Sequence, residues 1–173
     1  MADLTYEGAF DAYHTIHRYL RIFLGLPEVE KVEQDRLRIA DFYLAFPESL
    51  KNFKGQRGDM KIRRLAINEI QISRYGLLPD EVTLFNRMES TQEAAFSTLA
   101  KAGYINGEQF SQGWIAPQID AIPSSLKESC ILSLQARPML MAVQRSILTS
   151  YKLLGKGGLK DRSGLMDFRY DDR

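Results

Sequence analysis

The residues that could carry metal chemistry are few and poorly spaced. His14 and His17 are the only histidines and form an HxxH pair, yet residues three apart on a helix point in neighbouring rather than identical directions. A zinc site needs three or four ligands. Glu7 and Asp11 could add carboxylates, but the one cysteine, Cys130, lies far along the chain. We therefore predict ordinary helix contacts for both histidines, no bound metal and no other cofactor.

Nucleophilic and phosphate-loop chemistry are equally poorly supported. Cys130 has no histidine within forty residues along the chain, so only the fold could bring one close. Its ordinary role is a small buried apolar residue. The run GKGGLKDRSG (155–164) lacks the GxxxxGK[ST] order and the strand-to-helix context of a phosphate loop. The chain is predicted not to be an enzyme.

The charge distribution marks one candidate binding segment. Net charge is +1, but residues 1–50 hold five Lys and Arg against nine Asp and Glu, whereas residues 51–74 hold seven against two. Such asymmetry can attract a phosphate backbone or an acidic partner to one face. We predict phosphate-backbone contacts at Lys61, Arg63 and Arg64. The alternative is an ordinary solvated surface, and DNA binding should be weak or indirect in either case.

Apolar residues at spacings of three and four predict the elements that position these segments. The expected helices cover about 6–24, 28–46, 59–73, 80–102 (as one piece or two), a stretch from 123, and 138–154, with a short helix opening at Pro47. GYI (103–105) and WIAP (114–117) are typical of short strands. Between them, Asn106-Gly107 could form a tight hairpin turn or begin one helical turn.

Three helices followed by two strands predict the fold class. We expect a mainly α protein with a winged helix-turn-helix-like core over about 35–117, a short β-hairpin, and flanking N- and C-terminal helices. The candidate recognition helix, 89–102, has Lys101 as its only Lys or Arg, beside Glu89 and Glu93. A helix that reads base edges normally presents Arg, Lys, Asn or Gln. This core is therefore better suited to protein contact.

The C-terminal segment is unusually apolar for a chain end. We predict a single mostly helical domain over 1–154, then a flexible hinge at Gly155, Gly157 and Gly158, then a tail to residue 173. Leu165, Met166, Phe168 and Tyr170 are the candidate partner-binding residues of that tail. The alternative is that the tail folds back on its own helices.

Length and composition limit the number of domains, the cellular location and the membrane association that we expect. A chain of 173 residues can bury enough surface to fold as one domain without a disulfide or a metal. The single cysteine and the lack of a signal-peptide pattern predict a cytoplasmic location. No apolar run approaches the roughly 20 residues of a membrane span, so no membrane partner is expected.

Four segments carry a resemblance to a known family. GAFDAYHTIHRYLRIF (8–23), DRLRIADFYLAFP (35–47), QEAAFSTLAKAGYI (92–105) and GLKDRSGLMDFRYD (157–170) together resemble the middle component of the ABC-three-component bacterial defence systems. The Lamassu anti-phage and anti-plasmid systems are the best-known members. None of the matched segments is catalytic, so the resemblance supplies no catalytic residue.

The resemblance implies a non-catalytic accessory subunit. Its implied partners are an SMC-like ABC ATPase, with paired heads and a coiled coil, and an effector that is often a nuclease. The subunit would bridge the two and help to control the effector. The alternative is a stand-alone winged-helix DNA-binding transcriptional regulator. The near-neutral charge, the acidic candidate recognition helix and the apolar tail favour the accessory subunit.

Overall fold

A central helix surrounded by others organises the chain. The computed structural model describes residues 8–69 and 79–169. Its elements are α1 (Ala12–Gly25), β1 (Val32–Glu33), α2 (Gln34–Ala45), a 3₁₀ helix (Pro47–Asn52), α3 (Asp59–Asn68), α4 (Glu81–Lys101), α5 (Gly107–Ser111), β2 (Trp114–Ile115), a second 3₁₀ helix (Ile119–Ala121), α6 (Ser124–Gln135), α7 (Pro138–Thr149) and α8 (Leu159–Ser163). Every residue of α2 from Arg36 to Ala45 is buried. The protein is therefore mainly helical and is built around α2.

The helices begin where polar side chains can bind free backbone amides. Asp11 accepts from the amide of His14, Asp80 from that of Thr83 and Asn106 from that of Gln109, at 2.9, 3.1 and 3.0 Å. Such N-caps satisfy donors that have no partner within the helix. The cap at Asn106 decides between the two alternatives for this turn, because it starts α5 in place of a tight hairpin turn.

The small sheet joins segments that lie far apart in sequence. β1 and β2 pair antiparallel, with Val32 opposite Ile115 and Glu33 opposite Trp114. The expected hairpin partner, 103–105, contributes only an isolated bridge between Ile105 and Pro117. The helix expected from residue 28 instead begins at Gln34, because the buried Val32 is taken up by the sheet. The protein thus has one two-stranded antiparallel sheet in its described part, and the winged-helix arrangement stays a prediction.

The structure decides one open helix prediction and changes the end of another helix. The segment 80–102 forms one continuous helix, α4, because Leu84, Met88, Ala95 and Leu99 bury a single face along its length. Helix α7 ends at Thr149. Beyond it, Tyr151 and Leu153 are buried in irregular chain.

Aromatic rings fill the space around α2. Phe42 is fully buried, and its ring centroid lies 5.3 Å from that of Tyr43, 5.4 Å from that of Phe46 and 5.9 Å from that of Phe85. The tilted and edge-to-face geometries of these pairs are those that aromatic quadrupoles favour. The dense aromatic run of α2 is therefore the centre of the core.

A buried polar network crosses this core. Arg18 on α1 donates to Asp41 on α2 through Nε at 2.5 Å and Nη2 at 3.2 Å. Gln92 on α4 donates to the same carboxylate at 2.9 Å and accepts from Arg38 Nε at 3.0 Å. Buried charges are tolerated when they are paired and hydrogen-bonded. The network therefore links α1, α2 and α4 through directional bonds.

A helix needs about 20 predominantly apolar residues to cross the hydrocarbon core of a bilayer. Among residues 8–69 and 79–169, no helix combines the length and the apolar character that crossing a membrane requires.

Candidate phosphate-binding groove and C-terminal segment

Helix α3 is held to α7 by its two carboxylates. Asp59, at the start of α3, accepts from the Ser146 hydroxyl at 2.9 Å and from the Tyr151 hydroxyl. Glu69, just beyond the end of α3, accepts from the amides of Met139 and Leu140 at 3.1 and 3.2 Å. A carboxylate at a helix N-terminus complements the free amides and the helix dipole. Both acids of the basic segment are thus used within the fold.

The opposite end of α7 receives a buried cation. Arg36 Nη1 on α2 donates to the carbonyl oxygens of Ile147 and Tyr151, at 3.1 and 2.7 Å. Free carbonyls at a helix C-terminus favour a positive partner. Helix α7 therefore has a carboxylate at its start and a guanidinium at its end. These two contacts fix the position of α7, against which α3 packs.

We expect Glu69→Ala to lower the free energy of unfolding by about 0.5–2 kcal/mol, the usual effect of losing an N-cap. The cause is the loss of the acceptor shared by the Met139 and Leu140 amides. Chemical denaturation monitored by circular dichroism measures it. Glu108→Ala, an exposed acid on α5, is the matched control. Equal stability of the two variants would contradict this role of Glu69.

With its acids turned towards α7, α3 presents a basic groove. The groove has a volume of about 530 Å³. Its cationic lining consists of Lys51, Arg57, Lys61, Arg63 and Arg64. Among the described residues, no carboxylate lines it. The groove thus brings together the three predicted phosphate-contact residues and adds two that the prediction missed.

The three predicted residues differ in their freedom to bind a ligand. Arg63 donates through Nη1 to the carbonyl oxygens of Leu50 and Phe53, and its guanidinium lies 5.7 Å from the Phe53 ring centroid. Its role is to hold the 3₁₀ helix and the following turn against α3. Lys61 and Arg64 are exposed, and in the described ranges they form no ion pair or side-chain hydrogen bond. Both are therefore available to a phosphate.

One of the two missed residues, Arg57, carried a signal in the sequence. Arg57, Lys61 and Arg64 follow at spacings of four and three, which places them on one side of a helix. Lys51 belongs to the preceding 3₁₀ helix and reaches the groove only through the fold.

The C-terminal segment packs against the rest of the chain. Leu159 is fully buried and Leu165 is 3% exposed. The amide of Lys54 donates to the Arg162 carbonyl at 3.0 Å, and Arg162 Nη1 donates to the Lys54 carbonyl at 2.7 Å. Up to residue 169, the tail is thus packed on its own domain.

The glycine-rich turn before α8 has a defined conformation. Gly158 donates its amide to the Gly155 carbonyl at 3.0 Å, and Leu159 donates to the Lys152 carbonyl at 2.7 Å. A Cβ on Gly158 would lie 2.4 Å from the Leu154 carbonyl oxygen. Glycine is therefore required at position 158 by a close backbone approach.

The candidate partner-binding residues divide by burial. Leu165 is part of the core, whereas Met166 and Phe168 are half-buried. Tyr170 lies outside the described residues. Leu165 and Met166 line a second groove of about 300 Å³ beside Phe85 and Glu89 of α4. Met166 and Phe168 are thus partly accessible, whereas Leu165 is not.

The fold brings His17 close to Cys130, which the sequence did not predict. Nε2 of His17 and Sγ of Cys130 are 3.8 Å apart, and Cys130 is fully buried. Burial raises the pKa of the Cys130 thiol, whereas burial together with Arg21 lowers the pKa of His17. A nucleophilic cysteine needs a lowered pKa. This pair is therefore a neutral packing contact.

His14 is not part of this contact. Its Nδ1 lies 2.8 Å from Asp11 Oδ1 at the exposed start of α1. The described part of the chain contains no group of three or more His, Cys, Asp or Glu side chains placed to hold a metal ion.

The comparison with protein families identifies the chain. The family model for the ABC-three component (ABC-3C) system Middle Component 5 matches residues 4–171. The match covers nearly the whole chain, and this protein therefore belongs to the middle components of ABC-three component systems. No curated protein and no solved structure matches it.

Proposed function

We propose that this chain is a non-catalytic accessory subunit of a bacterial anti-phage or anti-plasmid defence complex of the ABC-three component class, like that of the Lamassu systems. It bridges an SMC-like ATPase and an effector, often a nuclease, and helps to control the effector in the cytoplasm. The observation that most supports this proposal is family membership over residues 4–171.

The arrangement of ionisable groups supports a non-catalytic role. The buried Arg18, Asp41 and Arg38 are all engaged within the helix network. His17 and Cys130 lack the pKa relation of an activated pair. An active site needs a titratable group within reach of a reacting atom in a cleft. The groups described here serve packing and surface charge instead.

The surface of α4 argues against a stand-alone regulator. In the segment 89–101, Gln92, Ala95, Phe96 and Leu99 are buried. The exposed positions are Glu89, Ser90, Ala94, Thr98 and Lys101. These side chains offer little that distinguishes base edges in a major groove. We therefore rank the winged-helix regulator below the accessory subunit.

The tail provides the test of the accessory function. In this proposal Met166 and Phe168 contact another component of the system. Leu165, which is buried in the core, anchors the segment to the domain. We expect Met166→Ala/Phe168→Ala to weaken co-purification with the ATPase and effector by at least tenfold while the isolated chain stays folded. Two half-buried apolar side chains account for the roughly 1.4 kcal/mol that a tenfold loss requires.

A matched control removes exposed apolar surface elsewhere. Ile131→Ala/Leu132→Ala changes two residues of α6 that are 45% and 71% exposed. This control should leave co-purification intact. If the tail variant assembles like the parent, or both variants fail alike, the tail is not the contact surface.

A further inference from the structure

We propose that the basic groove of α3 binds the phosphate backbone of duplex nucleic acid without reading its sequence. Lys51, Arg57, Lys61 and Arg64 would make the contacts. Arg63, although it lines the same groove, would not. This assignment goes beyond the accessory function, because it gives the subunit a nucleic-acid contact of its own.

Three of the four cations follow one another along α3 and the turn before it. The amide of Met60 donates to the Arg57 carbonyl at 3.4 Å, so the turn before α3 continues the helical spacing towards Arg57. At about 1.5 Å per residue, Arg57, Lys61 and Arg64 cover about 10 Å along the helix axis. Successive phosphates of one strand advance by about 3.4 Å along a duplex. This row of three is thus as long as about three phosphate steps.

The four cations are electrostatically uncompensated. Asp59 and Glu69 are the only carboxylates among residues 51–74, and both are bound to α7. In the described ranges, Lys51, Arg57, Lys61 and Arg64 form no ion pair. When such cations neutralise phosphates, the counterions that were condensed on the duplex are released, and this release favours binding.

Arg63 is already engaged within the fold, so we leave it out of the proposed phosphate contacts. Its guanidinium is half-buried between the Leu50 and Phe53 carbonyls and the Phe53 ring. Turning it to a phosphate would leave those carbonyls without their donor, and unmade buried hydrogen bonds are costly. Arg63 therefore positions the groove wall.

The lining favours backbone contact over base contact. No aromatic ring is among the described residues that line the groove, and stacking on single strands needs such rings. The apolar lining residues are Leu50, Met60 and Ile67, and Met60 is 57% exposed. An acidic protein segment with an apolar face is the rival ligand. The groove offers four cations without internal partners but only one well-exposed apolar residue. It is therefore better suited to a phosphate backbone than to an acidic segment with an apolar face.

The test is a titration of the full chain with a fluorescent 30-base-pair duplex of random sequence at 50–200 mM salt. Four contacts at about 0.9 each predict a salt slope of about −3.6, or about a 10²-fold rise in Kd across this range. Lys61→Glu/Arg64→Glu should reduce the slope to about −1.8, or about a 10-fold rise. An AT-rich and a GC-rich duplex should bind alike.

Controls separate the groove from bulk charge and from stability. Lys101→Glu/Lys127→Glu makes the same change in net charge on α4 and α6 and should keep the parental slope. Lys61→Ala/Arg64→Ala, which creates no new acid, should reduce the slope as the Glu variant does. Circular dichroism checks that each variant is folded.

Three results would overturn the proposal. One is equal salt slopes for the groove variant and the Lys101/Lys127 control. Another is discrimination between the AT-rich and GC-rich duplexes. The third is binding of poly-L-glutamate more tightly than the duplex, lost in Lys61→Glu/Arg64→Glu, which would assign the groove to an acidic protein segment. A failed duplex titration leaves the accessory function standing, because co-purification tests that function separately.

Discussion

Replacing Asp41 with alanine is expected to lower the free energy of unfolding by about 3–5 kcal/mol, since breaking a buried ion pair leaves an uncompensated charge. The Asp41 side chain is fully buried, and that of Arg18 is 7% exposed. Without the carboxylate, Arg18 keeps only the Gly8 carbonyl and the Thr15 hydroxyl as acceptors. Gln92 loses one of its two acceptors at the same time.

Urea denaturation measures this loss of stability. Two further variants test whether the buried charge is its cause. Glu89→Ala removes a carboxylate that is 60% exposed and 3.5 Å from Arg38, so it should cost under about 1 kcal/mol. Arg18→Met/Asp41→Leu replaces both charges by apolar groups, and it should be less damaging than Asp41→Ala alone. A double variant that is no more stable than Asp41→Ala would contradict the buried-charge explanation.

Removing residues 157–173 is expected to destabilise the isolated chain by about 3–6 kcal/mol. Leu159 and Leu165 are buried in the core, and each side chain of this type contributes roughly 1.5–3 kcal/mol. The paired backbone contact between Lys54 and Arg162 is lost as well. Because domains of this size have total stabilities of about 5–15 kcal/mol, this is a large share, and the truncated chain should unfold at a clearly lower temperature than the parent.

A point substitution tests the same packing without shortening the chain. In Gly158→Ala, the new Cβ would lie 2.4 Å from the Leu154 carbonyl oxygen, so the turn must move. In Gly107→Ala, no atom lies within 4 Å of the new Cβ, and α5 should be unchanged or slightly more stable. Thermal unfolding compares the two. A truncated chain that melts like the parent, or a harmless Gly158→Ala, would mean that the tail is separable from the domain.

Most of the secondary structure depends on residues close together in sequence and could therefore be predicted from the sequence. The apolar spacing of Phe10, Ile16 and Leu20 predicts the first helix. The caps at Asp80 and Asn106 depend on residues only three positions away. Helix formation uses neighbours three and four residues apart, so local patterns carry it. The family resemblance rests on such segments too, and the family match over 4–171 confirms it.

The strand pairing and the place of the tail depend on distant residues. Val32 pairs with Ile115, and Lys54 pairs with Arg162. Local periodicity does not specify which distant edge a short strand meets, and a glycine-rich run is compatible with a hinge or with a packed turn. In the structure the run forms a turn, and Leu159 and Leu165 beyond it are buried in the core.

In the candidate groove, too, some features follow from the sequence and others only from the tertiary structure. The sequence by itself determined that residues 51–74 are basic and that Lys61 and Arg64 lie on a helix. Only the tertiary structure decided that Asp59 and Glu69 face α7 and that Arg63 is bound to the Phe53 carbonyl. The physical reason is that charge is a property of each residue, whereas the partner that neutralises it is chosen by packing between helices distant in sequence.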